Sequence, residues 1–127
     1  MTQKAYLGIL GEKLAANYLK KKGYQIIERN FKKLPWGEID IIARKENYLF
    51  FFEVKTISWS PRKTSPFLPE LKINYHKKRA LARTIQVYLQ KQKLFLDSLW
   101  QADALIVRID FRAGRYRIKH FSNILYD

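Results

Sequence analysis

The chain's 127 residues are 47% apolar and 28% charged with no cysteine, which fits one folded domain and excludes a disordered tail, a disulfide framework and thiol chemistry. Lys and Arg number 25 against 11 Asp and Glu, a net charge of +14 that favours a polyanionic partner, nucleic acid ahead of a membrane surface. Glu12 and Lys13 interrupt the N-terminal segment and no run is long enough to span a bilayer, so the expectation is a cytoplasmic protein without signal peptide or membrane helix.

Thr2 is placed to N-cap a first helix reaching about Lys22, with Gly23 as its stop. Leu7, Leu10, Leu14 and Tyr18 recur at helical spacing with Gly11 and Ala15 beside them, while Lys13, Asn17 and Lys20 face water. Glu12 falls between Leu19 and Ala16 on the helical wheel, on the shoulder of the apolar arc. Tyr24–Arg29 reads as a short strand, Glu38–Arg44 as a second and Tyr48–Ile57 as a third, the last two joined by a tight turn at Lys45-Glu46-Asn47. Leu49-Phe50-Phe51-Phe52 is apolar on both faces, as a central strand should be. Residues 58–70 read as a basic, Pro-rich loop carrying Pro61, Pro66 and Pro69 with Arg62 and Lys63. A second helix spans Asn74–Lys91, with Leu81, Ile85 and Tyr88 inward. Asp103–Asp110 is a buried strand, and Arg115–Phe121 an edge strand with Arg115, Arg117 and Lys119 on one wet face. The order α-β-β-β-α-β-β implies an α/β fold, a mixed β-sheet flanked by helices.

The stretch from Gly37 to Lys55 carries the chemistry. Glu38 and Asp40 share a face of one predicted strand, and Glu53 and Lys55 a face of the next, within segments otherwise built for burial. Two carboxylates brought together push one towards protonation, and a hard divalent cation such as Mg²⁺ reverses this. A cation so held acidifies water and stabilises phosphoryl charge, and a neighbouring lysine orients the attack. Asp40, Glu53 and Lys55 thus form a minimal set for cleaving a phosphodiester. Whether Asp40 faces Glu53 depends on register. A turn centred on Glu46 pairs Asp40 with Phe52, so a shift of one residue or a bulge is required.

Gly37-Glu38-Ile39-Asp40 followed by Glu53-Val54-Lys55 resembles the core motif of the PD-(D/E)xK nuclease superfamily. The whole chain is similar to the bacterial YraN family of Holliday-junction-resolvase-like proteins. The match runs through Gly11-Glu12, Ala15, Tyr18-Leu19, Gly23-Tyr24 and Glu28-Arg29-Asn30. It continues through the motif, Lys77, Tyr88-Leu89, Asp103, Ile118, His120 and Asn123. The resemblance implies a single nuclease-like domain over residues 1–127 with a restriction-endonuclease-like core. It implies Mg²⁺ or Mn²⁺ held by Asp40, Glu53 and the Val54 carbonyl, with Lys55 as catalytic lysine. Glu12 would be an added ligand or base from the first helix. The chain departs from the family pattern at Ile57, where many relatives carry a basic residue, and in a 58–69 loop without glycine.

Lys77 stands four residues before Leu81 on the inward stripe, so its ammonium should emerge at the helix start, within reach of a phosphate. Lys78 and Arg79 beside it, with Arg62 and Lys63 of the loop, are further candidate nucleic-acid contacts. Blander roles compete with these. Glu53 and Lys55 could form a solvated pair, Glu12 could meet a lysine, and Glu38 could fix the turn or meet a basic neighbour. His76 and His120 read as ordinary histidines, and Trp59 as a loop anchor ahead of a platform for an unpaired base. The resulting expectation is a metal-dependent endonuclease on structured or branched DNA, DNA ahead of RNA, compatible with a homodimer on a two-fold substrate. The alternative is a catalytically silent nucleic-acid-binding module or partner subunit on a nuclease fold.

Overall fold

The computed structural model describes residues 1–59, 74–93 and 99–126. Its elements are α1 (Gln3–Lys21), β1 (Gln25–Lys33), β2 (Gly37–Lys45), β3 (Tyr48–Ser58), α2 (Tyr75–Lys91), β4 (Trp100–Asp110) and β5 (Arg115–Phe121). They form one five-stranded sheet in the order β1-β2-β3-β4-β5. The β3–β4 pair is parallel and the other pairs are antiparallel. Parallel neighbours need a crossover connection, and α2 lies within it. The arrangement is the mixed α/β architecture expected of a restriction-endonuclease-like core.

Each face of the sheet is covered by one helix. Ala15, Ala16 and Leu19 of α1 pack with Ile41, Phe52, Leu105 and Val107 on one side. Leu81, Ile85, Tyr88 and Leu89 of α2 pack with Ile39, Ile42, Leu49 and Phe51 on the other. The alternation of Phe50 and Phe52 to one core and Leu49 and Phe51 to the other makes β3 the doubly covered central strand. The α1 face differs in detail from the leucine stripe of the sequence. Its fully buried line is Gly11, Ala15, Ala16 and Leu19, with Leu7, Leu10, Leu14 and Tyr18 on the shoulders. Small residues let the helix axis approach the sheet closely. A Cβ on Gly11 would lie 1.7 Å from Thr56 Oγ1 and 2.6 Å from both Thr56 carbons.

Both helix starts are capped, the first as expected: Thr2 Oγ1 accepts from Ala5 N at 3.1 Å and Asn74 Oδ1 from Lys77 N at 2.8 Å. Gly23 follows α1 at φ 94°, a left-handed turn open to glycine. β1 and β4 outrun their sequence limits the most, β2 and β3 only by single residues at their ends. β1 continues through Asn30 to Lys33 because Phe31 is buried against Tyr88, their rings 5.2 Å apart, and pairs with Ile39. The polar, basic run around Phe31 hid this. β4 begins at Trp100, whose ring meets Phe51 at 5.7 Å. Ser58 belongs to β3, and Trp59 N donates to Ile109 O at 2.8 Å, so the predicted loop begins as strand. Its remaining residues, Arg62 and Lys63 among them, lie outside the described ones.

The β2–β3 hairpin settles the register question. Lys45 pairs with Tyr48 and Ile41 with Phe52, so the turn is the two-residue Glu46-Asn47, with Glu46 at φ 57°. Its centre falls between Glu46 and Asn47, half a residue past the expected one. Continuing that register brings Glu53, not Phe52, opposite Asp40, and no bulge in β3 is needed. Among the described residues no helix is long and apolar enough to cross a membrane.

Candidate functional site

Asp40 stands where β2 stops behaving as a regular strand. Its neighbours Ile39 and Ile41 pack into opposite cores, so strict alternation fails between them. On the β1 side the facing residue, Asn30, is left-handed at φ 56°, and the ladder steps from Arg29–Ile41 to Phe31–Ile39 without it. On the β3 side the pairing ends at Ile41–Phe52. The Asp40 carboxylate enters the resulting gap and Oδ2 accepts the Val54 N–H at 2.7 Å. That bond fixes the carboxylate and satisfies a strand donor that β2 no longer reaches.

Two more acids approach from separate elements. Glu12 arrives half-buried on α1 and Glu38 lies two residues before Asp40 on β2. One carboxylate oxygen from each of Glu12, Glu38 and Asp40 falls within 4.8 Å of the others. The consequence is electrostatic. Burial, the largest effect, pushes the Asp40 carboxyl up to about 8; the Val54 N–H opposes this, while the charges of Glu12 and Glu38 and a hydrogen bond with Glu38 add to it. Without a compensating cation, Asp40 therefore holds its proton at neutral pH.

The cluster opens into a cavity of about 500 Å³ lined also by Trp36, Gly37, Glu53, Val54 and, from α2, Lys77, Ala80 and Leu81. Glu53 lies in this cavity but outside the close trio. Its Oε1 is 3.0 Å from Lys77 Nζ, so this lysine, exposed at the start of α2, meets a carboxylate at the cavity. Lys55, two residues on, is exposed and has no ion pair among the described residues. Val54 lines the cavity and packs its side chain with Phe52, away from Glu53, as strand alternation requires.

The simpler roles weighed for these acids are partly present. Glu12 meets Arg29, with 3.9 Å between Oε2 and Nη2, in place of a lysine. Glu38 meets Lys32 at 3.6 Å while also joining the trio. The basic neighbour expected for Glu38 is therefore present, and its place two residues before Asp40 on one strand also brings it to the trio. Arg79 stacks on Tyr75 at 5.8 Å in the first turn of α2, beside Lys77 and Lys78. No acid stands in that turn, so these cations add to the positive end of the helix dipole, a combination that favours an anion.

His120 stands outside the acid trio and is tied to a buried acid of β4. Its Nε2 lies 2.6 Å from Oδ2 of Asp103, which is fully buried. Asp103 Oδ1 also accepts from Gln101 Nε2 at 2.8 Å and Asn123 N at 3.0 Å. The pair sits on the α1 side of the sheet beside Phe52 and fastens the segment after β5, where Ile124 N donates to Ala102 O at 2.8 Å. Trp59 is anchored as expected, with the Arg108 guanidinium 4.7 Å from its ring centroid.

Comparison with known proteins places the chain. The model described as "Uncharacterised protein family UPF0102" matches residues 11–112. A UPF0102 protein of Clostridium botulinum (strain 657 / Type Ba4) is 37% identical over 121 residues, covering 92% of this chain and 91% of the relative. One from Caldanaerobacter subterraneus subsp. tengcongensis is 45% identical over 87 residues, 68% of this chain and 66% of the relative. One from Alkaliphilus oremlandii is 35% identical over 117 residues, 92% of this chain and 95% of the relative. The matched span holds Glu12, Glu38, Asp40, Glu53, Lys55 and Lys77, and the chain belongs to the UPF0102 family, the YraN family that its sequence resembles.

Proposed function

We propose that this protein is a metal-dependent endonuclease that cleaves phosphodiester bonds in structured or branched DNA in the cytoplasm. The carrying observation is the convergence of Glu12, Glu38 and Asp40 in a cavity of a chain whose net charge is +14. Acids gathered inside so basic a protein need a reason. The donor set is hard carboxylate oxygen throughout, which suits Mg²⁺ or Mn²⁺ and not a thiophilic metal. A mutually repelling trio around a buried carboxyl fits such an ion, so the residues and the implied metal agree.

When bound, the cation supplies charge neutralisation and Lewis-acid activation. The chain's own residues do the rest. Asp40, aimed by the Val54 N–H, together with Glu12, Glu38 and the nearby Glu53 and Val54 carbonyl, provides the oxygen ligands. Lys55, exposed one alternate position along β3 from Glu53 and outside the cavity lining, is the lysine that would orient the attacking water or balance charge on the phosphoryl group. Lys77 can exchange Glu53 for a phosphate oxygen, and Lys78 and Arg79 lie in the same turn to hold the flanking backbone. Arg62 and Lys63 are proposed as further backbone contacts.

Purified protein should nick four-way junction DNA with Mg²⁺ or Mn²⁺, and Asp40→Ala should abolish nicking. Equal residual activity in both proteins would end the enzyme reading. The Glu53–Lys77 pair favours one second reading, a silent nucleic-acid-binding module whose Glu53 is taken by an ion pair. Calorimetric titration with Mn²⁺ separates the two: heat that disappears with Asp40→Ala belongs to the nuclease, and no site-dependent heat belongs to the module. A two-fold branched substrate would match a symmetric dimer.

A further inference from the structure

The sheet face that carries Glu53 continues past the cavity, and its side chains change character there. Cross-strand partners share a face, so the registers give rows running from β3 to β5. The first row is Glu53, Ala104 and Phe121; the next is Lys55, Ile106 and Lys119; the third is Ile57, Arg108 and Arg117. Asp110 and Arg115 close the series. Ala104 and Phe121 belong with the α2-side core, while Leu105, Val107 and Ile118 belong with the α1-side core, which fixes the side to which these rows point. Beyond the first row, Lys55, Lys119, Arg117 and Arg115 are all exposed. None of the four has an ion pair among the described residues. Beyond that first row the acid is Asp110, which is engaged by the hairpin, its Oδ1 accepting from Arg112 N at 3.1 Å and Ala113 N at 3.2 Å.

We propose that these rows are a track for the phosphate backbone of a DNA duplex arm, leading away from the acid cluster across β3, β4 and β5. Alternate residues on a strand are about 7 Å apart and neighbouring strands about 5 Å, so Lys55 stands one step from Glu53, and Lys119, Arg117 and Arg115 line β5 on the far side of the buried Ile106. Like charges on neighbouring positions of one face repel, and a polyanion laid over them removes that repulsion. The three cations of β5 span about 14 Å, along which one duplex strand presents about four phosphates. Single-stranded binders instead stack bases on bare aromatic rings. Here Trp59 is capped by Arg108 at 4.7 Å and Phe121 by Lys119 at 5.0 Å, so the face offers cations in place of rings. The track rests on the nucleic-acid reading of the site but needs no cleavage.

The test is a binding titration of the full chain against a DNA duplex in EDTA, over a range of salt concentrations. It compares wild type, R115Q/R117Q/K119Q and a control, K4Q/K13Q/K20Q, which removes the same charge from exposed positions of α1 on the opposite side of the sheet. The β5 triple should bind at least about tenfold more weakly near 0.1 M salt, with a salt slope shallower by about 2 to 3; the control should keep the wild-type slope. Equal losses in both triples, or no loss in the β5 triple, would overturn the track. Tighter binding of an RNA duplex of matched sequence would overturn the assignment to DNA. If the β5 triple melts early, R117Q alone carries the test, with an expected slope change of about 1. Because no step in this assay is catalytic, a failed Asp40→Ala nicking experiment leaves its result intact, and the reverse holds too.

Discussion

At Asp40 the fold keeps a carboxyl where burial and two neighbouring acids oppose its ionisation. Its folded value of about 8 stands far above the ordinary 3.8. Between those values the folded protein retains a proton that the unfolded chain has released, so each rise in pH within that window weakens folding. Without divalent cations, urea melts should therefore show stability falling from pH 5 to pH 8 by an amount on the order of a few kcal/mol. Asp40→Asn should flatten that slope, and Mn²⁺ should stabilise wild type more at pH 8 than at pH 5, because a ligand must be deprotonated. A wild-type profile level across the window would contradict this account. Ile57 has its own residue-scale answer. The parallel register sets it beside Arg108, so the adjacent strand supplies a cation on the row where β3 lacks one.

At the scale of elements, the α1–β3 contact decides where Glu12 sits. Gly11 precedes Glu12 and rests against Thr56, where an added Cβ would meet three side-chain atoms at 1.7 to 2.6 Å. No Thr56 rotamer removes the clash with its own Cβ, so Gly11→Ala should push the helix from the sheet and cost about 1–3 kcal/mol. Thermal melts should show the loss, and adding Thr56→Ala should restore part of it. The same displacement should weaken Mn²⁺ binding, since Glu12 moves with the helix. A second element-scale device is Asp103, which joins Gln101, His120 and Asn123 from a fully buried position. Asp103→Ala would leave three polar groups without their shared acceptor and should destabilise the protein by about 3–5 kcal/mol, read in urea melts.

Over the whole molecule, 25 basic side chains against 11 acidic ones create a field that opposes compaction. Four of the 11 acids gather in one place: Glu12, Glu38 and Asp40 in one cluster, and Glu53 beside it against Lys77. Raising NaCl from about 0.05 to 0.5 M should therefore raise the melting temperature, because screening shortens the reach of the repulsion to a few ångströms. A melting temperature that falls with NaCl would show instead that specific ion pairs, such as Lys77–Glu53, outweigh the net charge. For nucleic acid the dependence reverses, with affinity dropping steeply as salt rises.

Residue identity alone determined much of this. Helical spacing locates α1 and α2, with a cap and a stop for α1, the doubly apolar run at Leu49–Phe52 marks the central strand, and Asp40, Glu53 and Lys55 stand out as charges in strands built for burial. These signals are local, carried by spacing within one element. β1 was cut short because Phe31 is a lone apolar residue in a basic run, and only its contact with Tyr88 on a distant helix makes it core. The register of β2 with β3 turns on half a residue in the Glu46-Asn47 turn, a difference of backbone conformation that composition does not encode. The membership of Glu38 in the trio, the capture of Glu53 by Lys77 and the cationic rows across β3–β5 needed three-dimensional proximity. Sequence fixes which charges the chain must accommodate; the parting of β2 and β3 at Asp40, with one helix closing on each side, decides which of them meet.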